Sequence, residues 1–367
     1  MIPGGLAELV AAEWEAAEAA RSLTPPVMDA LVEQGWMRSL VPAAYGGGEM
    51  HPAEFQAGVE ELATVDGAAG WIVAVGATAG LAVAYLPAEE AGLLAADPAT
   101  VHAGAFAPRG RLDPTGDDTL RLSGRWPLCS GVEHADWVGL GCMAEGAPVY
   151  ALVPRGQVEV IDTWDSLGLR ATGSHDVAVD GLPVPASRVV RLIGGAPRES
   201  GPLYRFPLFG LLAIAIAGVC TGIARGALDA AIASAAARRP AGSGRSMAER
   251  ATTQERVAAS EASLRAARAL VASAIEDAWS RAEAGQELGT GERLGLRLAA
   301  TNAARTAVAV VDTAHALGGS GSLYRGNDLE RRLRDVHTVA QHMLVSPATL
   351  ELEGRLLLGL DTDVAQL

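Results

Sequence analysis

Apolar residues along this chain recur first at helical spacing, then in short alternating runs, then at helical spacing again. Over residues 6–96 the helical period is interrupted at Pro25 and Pro26, at residues 42–48 and at Pro87, which predicts several helices joined by tight breaks. Over residues 101–190 the texture changes to short segments such as LRLS (residues 120–123) and VYALV (residues 149–153), separated by Gly, Pro and Asp. That pattern predicts a β-barrel or sandwich. After a Gly/Pro-rich connector at residues 194–207, long Ala/Leu/Arg helices return, with polar breaks at residues 240–246 and 285–291. The expected fold is α+β and mostly α: an N-terminal helical domain (1–98), a central β domain (99–195) and a C-terminal four-helix bundle (196–367).

Two uncharged stretches, residues 67–88 and 206–224, are each long enough to cross a bilayer. Both consist largely of Ala and Gly, whose transfer into lipid is weakly favoured, and neither has a strong Lys/Arg anchor. The pairs Gly76/Gly80 and Gly218/Gly222 instead suit close helix packing, so buried helices in a helical region that reaches a subunit interface are expected.

With 367 residues, 49% of them hydrophobic, the chain can bury a large core. A formal net charge of −14 and an isoelectric point near 5.0 oppose nucleic acid and anionic membrane surfaces as partners. Cys129, Cys142 and Cys220 are odd in number and lack CxxC spacing, and no leader-like segment opens the sequence, so a cytoplasmic location is expected.

Individual residues read ambiguously by themselves. Ser130 precedes Gly131 in a common turn pair and can satisfy a strand end. His342 stands four and seven residues after Thr338 and Asp335, the spacing of a core histidine on one helical face. His337 lies five residues before His342, which is not the spacing of a helical metal pair, and no metal is expected. The run Gly318, Gly319, Ser320, Gly321 follows a helix and lacks G-x-G-x-x-G spacing, so it does not read as a dinucleotide site. Arg238 and Arg239 close a long helix, where an Arg can grip phosphate or offset the helix dipole. His134, just beyond the turn, reads as a solvent or interface group.

Four segments together are similar to one family. LVEQGWMRSLVPAAYGGGEM (31–50), SGRWPLCSG (123–131), DSLGLRATGSHDVAVDGLPVP (165–185) and ALGGSGSLYRGNDLERRLRDV (316–336) follow in the order of motifs in the acyl-CoA dehydrogenase superfamily. The closing segment DLERRLRDVHTVAQH (328–342) resembles that family's active-site helix, but where the family carries a Glu, nine residues after the position of Arg334, this chain has Met343, preceded by His342. The runs at residues 126–137 and 334–342 look most like the two-component flavin-dependent monooxygenases of that superfamily, the group D aromatic hydroxylase type.

The resemblance implies an oxygenase that takes reduced FMN, or FAD, from a separate NAD(P)H-flavin reductase. It would react the flavin with O2 through a C4a-hydroperoxide and hydroxylate an aromatic or polyketide-like small molecule. It further implies a homotetramer, with Ser130 near flavin N5 and His342 on the last long helix exchanging protons near neutral pH. His102 is implied as a further substrate-facing histidine. Flavin contacts are implied from Trp126, Leu128, Cys129 and Ser130 of the β strand, from Thr172, Gly173 and Ser174 of the following loop, and from Arg238 and Gly319. The walls of the substrate pocket are expected from residues 71–85 and 206–212. The alternative is an FAD-dependent dehydrogenase acting on an acyl thioester with its base elsewhere, the nearby acids being Glu330, Asp335 and Glu351; a binding protein that has lost activity is a third reading.

Overall fold

The structure, a computed structural model, describes residues 2, 4–116, 118–239, 244–364 and 367. Five helices come first: α1 (Gly4–Ala20), α2 (Pro25–Glu33), α3 (Pro52–Val65), α4 (Gly67–Gly80) and α5 (Ala88–Leu94). Seven strands follow: β1 (His102–Pro114), β2 (Thr119–Cys129), β3 (Trp137–Ala144), β4 (Ala147–Pro154), β5 (Glu159–Ile161), β6 (His175–Pro185) and β7 (Val189–Val190). Six more helices complete the chain: α6 (Pro202–Arg205), α7 (Leu208–Ala237), α8 (Ala251–Glu283), α9 (Thr290–Gly318), α10 (Asp328–Val339) and α11 (Pro347–Leu357). The helical, β, helical order expected from the period of the apolar residues is the order found. Of the polar break expected at residues 240–246, residues 240–243 lie outside the described residues.

Two of the expected breaks precede or open helices: Pro25 and Pro26 begin α2, and Pro87 stands just before α5. Pro52 likewise opens α3, and like those of α2 it takes a position whose N–H would have no partner in the helix anyway. Asp66 ends α3 and caps α4 by accepting the Ala69 N–H at 2.9 Å. Thirteen of the fourteen residues of α4 are buried, and α7 has no exposed face along its first half. The two stretches apolar enough for a membrane, Gly67–Tyr85 and Leu208–Ala237, are 94% and 83% buried within the protein, as core helices are. Close approach explains the glycines of α7: a side chain at Gly222 would run into the Glu60 carbonyl and one at Gly226 into that of Thr64, so α7 lies directly on the backbone of α3.

The strands form one seven-stranded sheet, ordered β5-β6-β2-β1-β3-β4-β7, in which, among the described residues, only β1 and β3 pair in parallel. Leu122, Trp126, Val138, Leu140, Val177 and Val184 fill a core within the β region. Tyr150, Leu152 and Val190 face a second core that includes Leu86 and Leu94 from the N-terminal region. The ladder between β2 and β6 slips register between Trp126 and Cys129, where Leu128 adopts φ +61°. This irregularity turns the end of β2 toward the helices.

Candidate active site

The end of β2, the loop before β6, α4 and the turn after α10 meet at one place. Trp71, in the first half of α4, donates its indole Nε1–H to Ser130 Oγ at 3.0 Å. Ser130 Oγ lies 2.6 Å from Ser174 Oγ, which lies 2.7 Å from Thr172 Oγ1, which donates to the Leu169 carbonyl at 2.9 Å. On the opposite side, the His342 ring meets the Trp71 indole edge-on, with centroids 5.7 Å apart and planes 68° apart. Ser130, Thr172, Ser174 and Trp71 are all buried. A shared indole thus joins the two residues that the family resemblance pairs.

Hydrogen bonds lock the loop that carries Thr172 and Ser174 onto α10, and ion pairs hold α10 in place. Asp335 accepts the Leu169 N–H at 2.6 Å, and a side chain at Gly168 would run into the Arg334 carbonyl. Arg331 pairs with Asp66 and, at 2.8 Å, with Asp328, while its guanidinium stacks over Trp14 at 4.6 Å. Arg334 pairs with Glu18 and Glu330, each at 2.6 Å, and donates to the Leu167 carbonyl at 2.9 Å. Burial raises the Asp335 carboxyl to about 6, against the pull of Arg331. Arg334 and Asp335 are therefore scaffold: they clamp the loop, and Asp335 offers no free carboxylate.

His342 departs from expectation in two respects. It does not continue the last long helix, because α10 ends at Val339; instead it caps the short turn Met343–Val345, its Nδ1 accepting the Leu344 N–H at 3.3 Å. With Nδ1 accepting, the proton of the neutral ring sits on Nε2. Burial, aided by the Arg297 charge, lowers its pKa to about 4, so at pH 7 it is a neutral hydrogen-bond donor and does not titrate near neutrality. Arg297, which the sequence did not single out, lies beneath this turn and donates to the Leu344 carbonyl at 3.3 Å and to Thr349 Oγ1 at 3.2 Å.

Other expected residues divide. Leu128 is 62% exposed beside Ser130, and Met343, in the position where the family carries its Glu, is 59% exposed beside His342. The side chains of Trp126 and Cys129, unlike that of Leu128, are fully buried in the β core. The Trp126 indole lies in a hollow formed by Gly110 and Gly124 and donates to the Gly141 carbonyl at 2.6 Å, while burial pushes the Cys129 thiol up to about 12. Arg238 is occupied within its own chain, its guanidinium donating to the Leu317 and Gly318 carbonyls at the end of α9. Gly319 has φ +61° and ψ −146°, a backbone state for glycine, next to that guanidinium. Gly173, at φ +49°, makes the turn between Thr172 and Ser174. His102 is 3% exposed at the start of β1 with its ring against Gly80 of α4, and burial with Arg38 nearby lowers its pKa to about 4. His134 bonds Ser22 Oγ at 2.9 Å, and His337 pairs with Asp312 at 2.9 Å.

The arrangement fits a flavin ring. It offers a Ser130 oxygen, an imidazole N–H and two large apolar side chains left open to a flat, partly apolar partner. Among the described residues, Ser130 has Trp71 and Ser174 as its side-chain partners, and no carboxylate contacts it. A cleft of about 800 Å³ lined by Trp14, Glu18, Leu167, Arg170, Glu330 and Arg334 lies elsewhere and includes none of these groups.

Comparison with known proteins identifies the family. Residues 6–91 match the acyl-CoA dehydrogenase N-terminal domain family and residues 214–347 the acyl-CoA dehydrogenase C-terminal domain family. The chain is 34% identical to indole-3-acetate monooxygenase of Pseudomonas putida, over 92% of this chain and 88% of that one. It superposes on the 3-HSA hydroxylase of Rhodococcus sp. RHA1 with a TM-score of 0.93 at 26% identity, covering 99% of this chain and 97% of that one. XiaF from Streptomyces sp., solved with FADH2 and glycerol, gives a TM-score of 0.92 at 26% identity, with 98% and 94% covered. The chain belongs to the acyl-CoA dehydrogenase superfamily and, within it, to the flavin-dependent monooxygenases.

Proposed function

We propose that this chain is the oxygenase component of a two-component flavin-dependent monooxygenase. It receives reduced flavin from a separate NAD(P)H-flavin reductase and places one oxygen atom of O2 into an aromatic or polyketide-like substrate. Two electrons and two protons reduce the second atom to water, and oxidised flavin leaves. The observation that carries this reading is the joining of Ser130 and His342 through Trp71, with Met343 where a dehydrogenase of this fold carries its carboxylate. Among the described residues, no carboxylate that could remove a substrate proton, as the acyl-thioester reading requires, hydrogen-bonds either residue.

The flavin, when bound, supplies the electrons that activate oxygen. Ser130 Oγ would hold the N5 edge of the ring through a hydrogen bond, and the His342 Nε2–H would donate into the space where oxygen and substrate meet. Because His342 stays neutral down to about pH 4, it acts as a placed donor at physiological pH. Leu128 and Met343 would shield that space from water. Exposed Leu323 and Tyr324 beyond α9 support assembly with further copies, and a homotetramer is the proposed state. The relatives named for indole-3-acetate and resorcinol support an aromatic substrate. The resorcinol hydroxylase and XiaF, both named with FADH2, make reduced FAD the first flavin to supply.

The test supplies protein, a flavin reductase, NADH and flavin under ¹⁸O2 with a panel of phenols and indoles. Incorporation of one ¹⁸O atom into an aromatic product is expected. Bleaching of bound oxidised FAD by an acyl-CoA without oxygen, with no labelled product, would overturn the reading in favour of a dehydrogenase.

A further inference from the structure

The chain of hydroxyl groups behind Ser130 has a direction, and proton counting determines it. The Leu169 carbonyl can only accept, so Thr172 Oγ1, 2.9 Å away, donates its single hydroxyl proton there. Thr172 Oγ1 then has to accept across its 2.7 Å contact, so Ser174 donates to it. With that proton engaged, Ser174 Oγ accepts across its 2.6 Å contact, so Ser130 donates inward. Trp71 Nε1, a donor only, points its N–H at Ser130 Oγ from the other side. Ser130 has therefore received one hydrogen bond and given one, and what it retains for a ligand is a lone pair.

Nothing in this relay is free to turn around. Its four side chains are between 1% and 8% exposed. Its terminus is held because the Leu169 peptide is gripped twice, the N–H by Asp335 at 2.6 Å and the carbonyl by the Thr172 N–H at 3.1 Å as well as the Thr172 hydroxyl. A reversed relay would leave the Thr172 and Leu169 oxygens facing each other at 2.9 Å without a proton between them.

We propose that Thr172 and Ser174 are positioning residues that fix the Ser130 hydroxyl as an acceptor, so that the site takes a ring with a hydrogen-bond donor and disfavours one that can only accept. This rests on the flavin reading above. Reduced flavin carries a proton on N5, whereas N5 of oxidised flavin is a lone pair that would meet the lone pair of Ser130. The relay therefore makes the loading step select the reduced cofactor and assists release of the oxidised one.

The test measures the dissociation constants of the same flavin in its reduced form, under anaerobic conditions, and its oxidised form. Wild type is compared with Ser174→Ala, Thr172→Val and Ser174→Thr, each checked for folding by circular dichroism. Wild type should bind the reduced form more tightly. Ser174→Ala frees the Ser130 proton to point at the ring, and the ratio of oxidised to reduced dissociation constants should fall about tenfold. Thr172→Val should lower it in the same sense, because Ser174 can then turn its proton on Ser130, while Ser174→Thr keeps the hydroxyl and the ratio. A Ser174→Ala variant that weakens both forms equally, or leaves the ratio unchanged, overturns the proposal and leaves the oxygenase reading intact. Wild-type protein that binds neither form of FMN or FAD overturns both.

Discussion

The Trp71 indole N–H donates to Ser130 Oγ at 3.0 Å, joining α4 to the end of β2 across 59 residues of chain. The bond does two things: it satisfies a buried indole, and it fills one acceptor position of the hydroxyl that the site depends on. Trp71→Phe keeps the apolar bulk and removes the donor. It should cost about 1 kcal/mol of stability and should lower the fraction of reduced flavin converted to hydroxylated product, with peroxide released instead. Urea denaturation and a product-to-peroxide balance check the two parts.

His342 should act through its N–H and not through titration near neutrality. Its neutral ring, with pKa lowered to about 4, predicts a hydroxylation rate without an inflection from this group between pH 6 and 8. His342→Ala removes the donor and should slow product formation by about 10²-fold, while His342→Gln, which retains an N–H, should recover part of that loss. Steady-state rates across pH for the three proteins check this.

His102 should make stability depend on pH. Its ordinary value is 6.5 and burial lowers it to about 4. Above pH 6.5 neither the folded nor the unfolded form is protonated and its contribution is complete. As pH falls from 6.5 to 4 the unfolded chain takes up a proton that the folded one refuses, and about 3 kcal/mol is lost. Asp335 runs the other way: raised from 3.8 to about 6, its contribution is full below pH 3.8 and lost as pH rises through 6, offsetting part of the slope. Comparison with His102→Gln isolates the histidine, and the stability difference between the two proteins should shrink by about 3 kcal/mol from pH 7 to pH 4, read by urea denaturation.

Arg331→Met should be costly. The buried guanidinium pairs with Asp66 and Asp328, and its loss leaves the buried Asp66 carboxylate without that partner; about 3–5 kcal/mol is expected. Because Asp335 holds Leu169, the variant should also loosen the loop bearing Thr172 and Ser174, seen as faster amide exchange at Leu169.

The helical and β regions were legible because their apolar periods differ, and flanking motifs singled out Ser130 and His342, which the fold brings to either side of Trp71. The inward side chains of Trp126 and Cys129 were not legible, for a local reason. Side chains on a regular strand alternate between faces, but Leu128 takes a left-handed backbone conformation and the β2–β6 ladder slips beside it. Leu128 thereby turns out to solvent, with Trp126 and Cys129 both turned into the core. No pattern of hydrophobicity reports such a bulge. The end of α10 was hidden too, because no Gly or Pro marks it: the stop is made by His342 capping the next turn with its own ring. Trp71 was read only as a pocket wall. A lone indole in a run of Gly and Ala, whose N–H needs a partner once buried, was the signal that set it apart. Asp335 stood among the nearby acids of the alternative reading, and only its hold on the Leu169 N–H reveals a clamp.

The most direct measurement of the central claim is the reoxidation of reduced flavin by oxygen in a stopped-flow mixer, with and without a stoichiometric excess of this protein. An oxygenase whose Ser130 and His342 hold the ring should delay the return of oxidised-flavin absorbance well beyond that of free flavin, and Ser130→Ala should shorten the delay. Reoxidation at the free-flavin rate in the presence of wild-type protein would contradict the account.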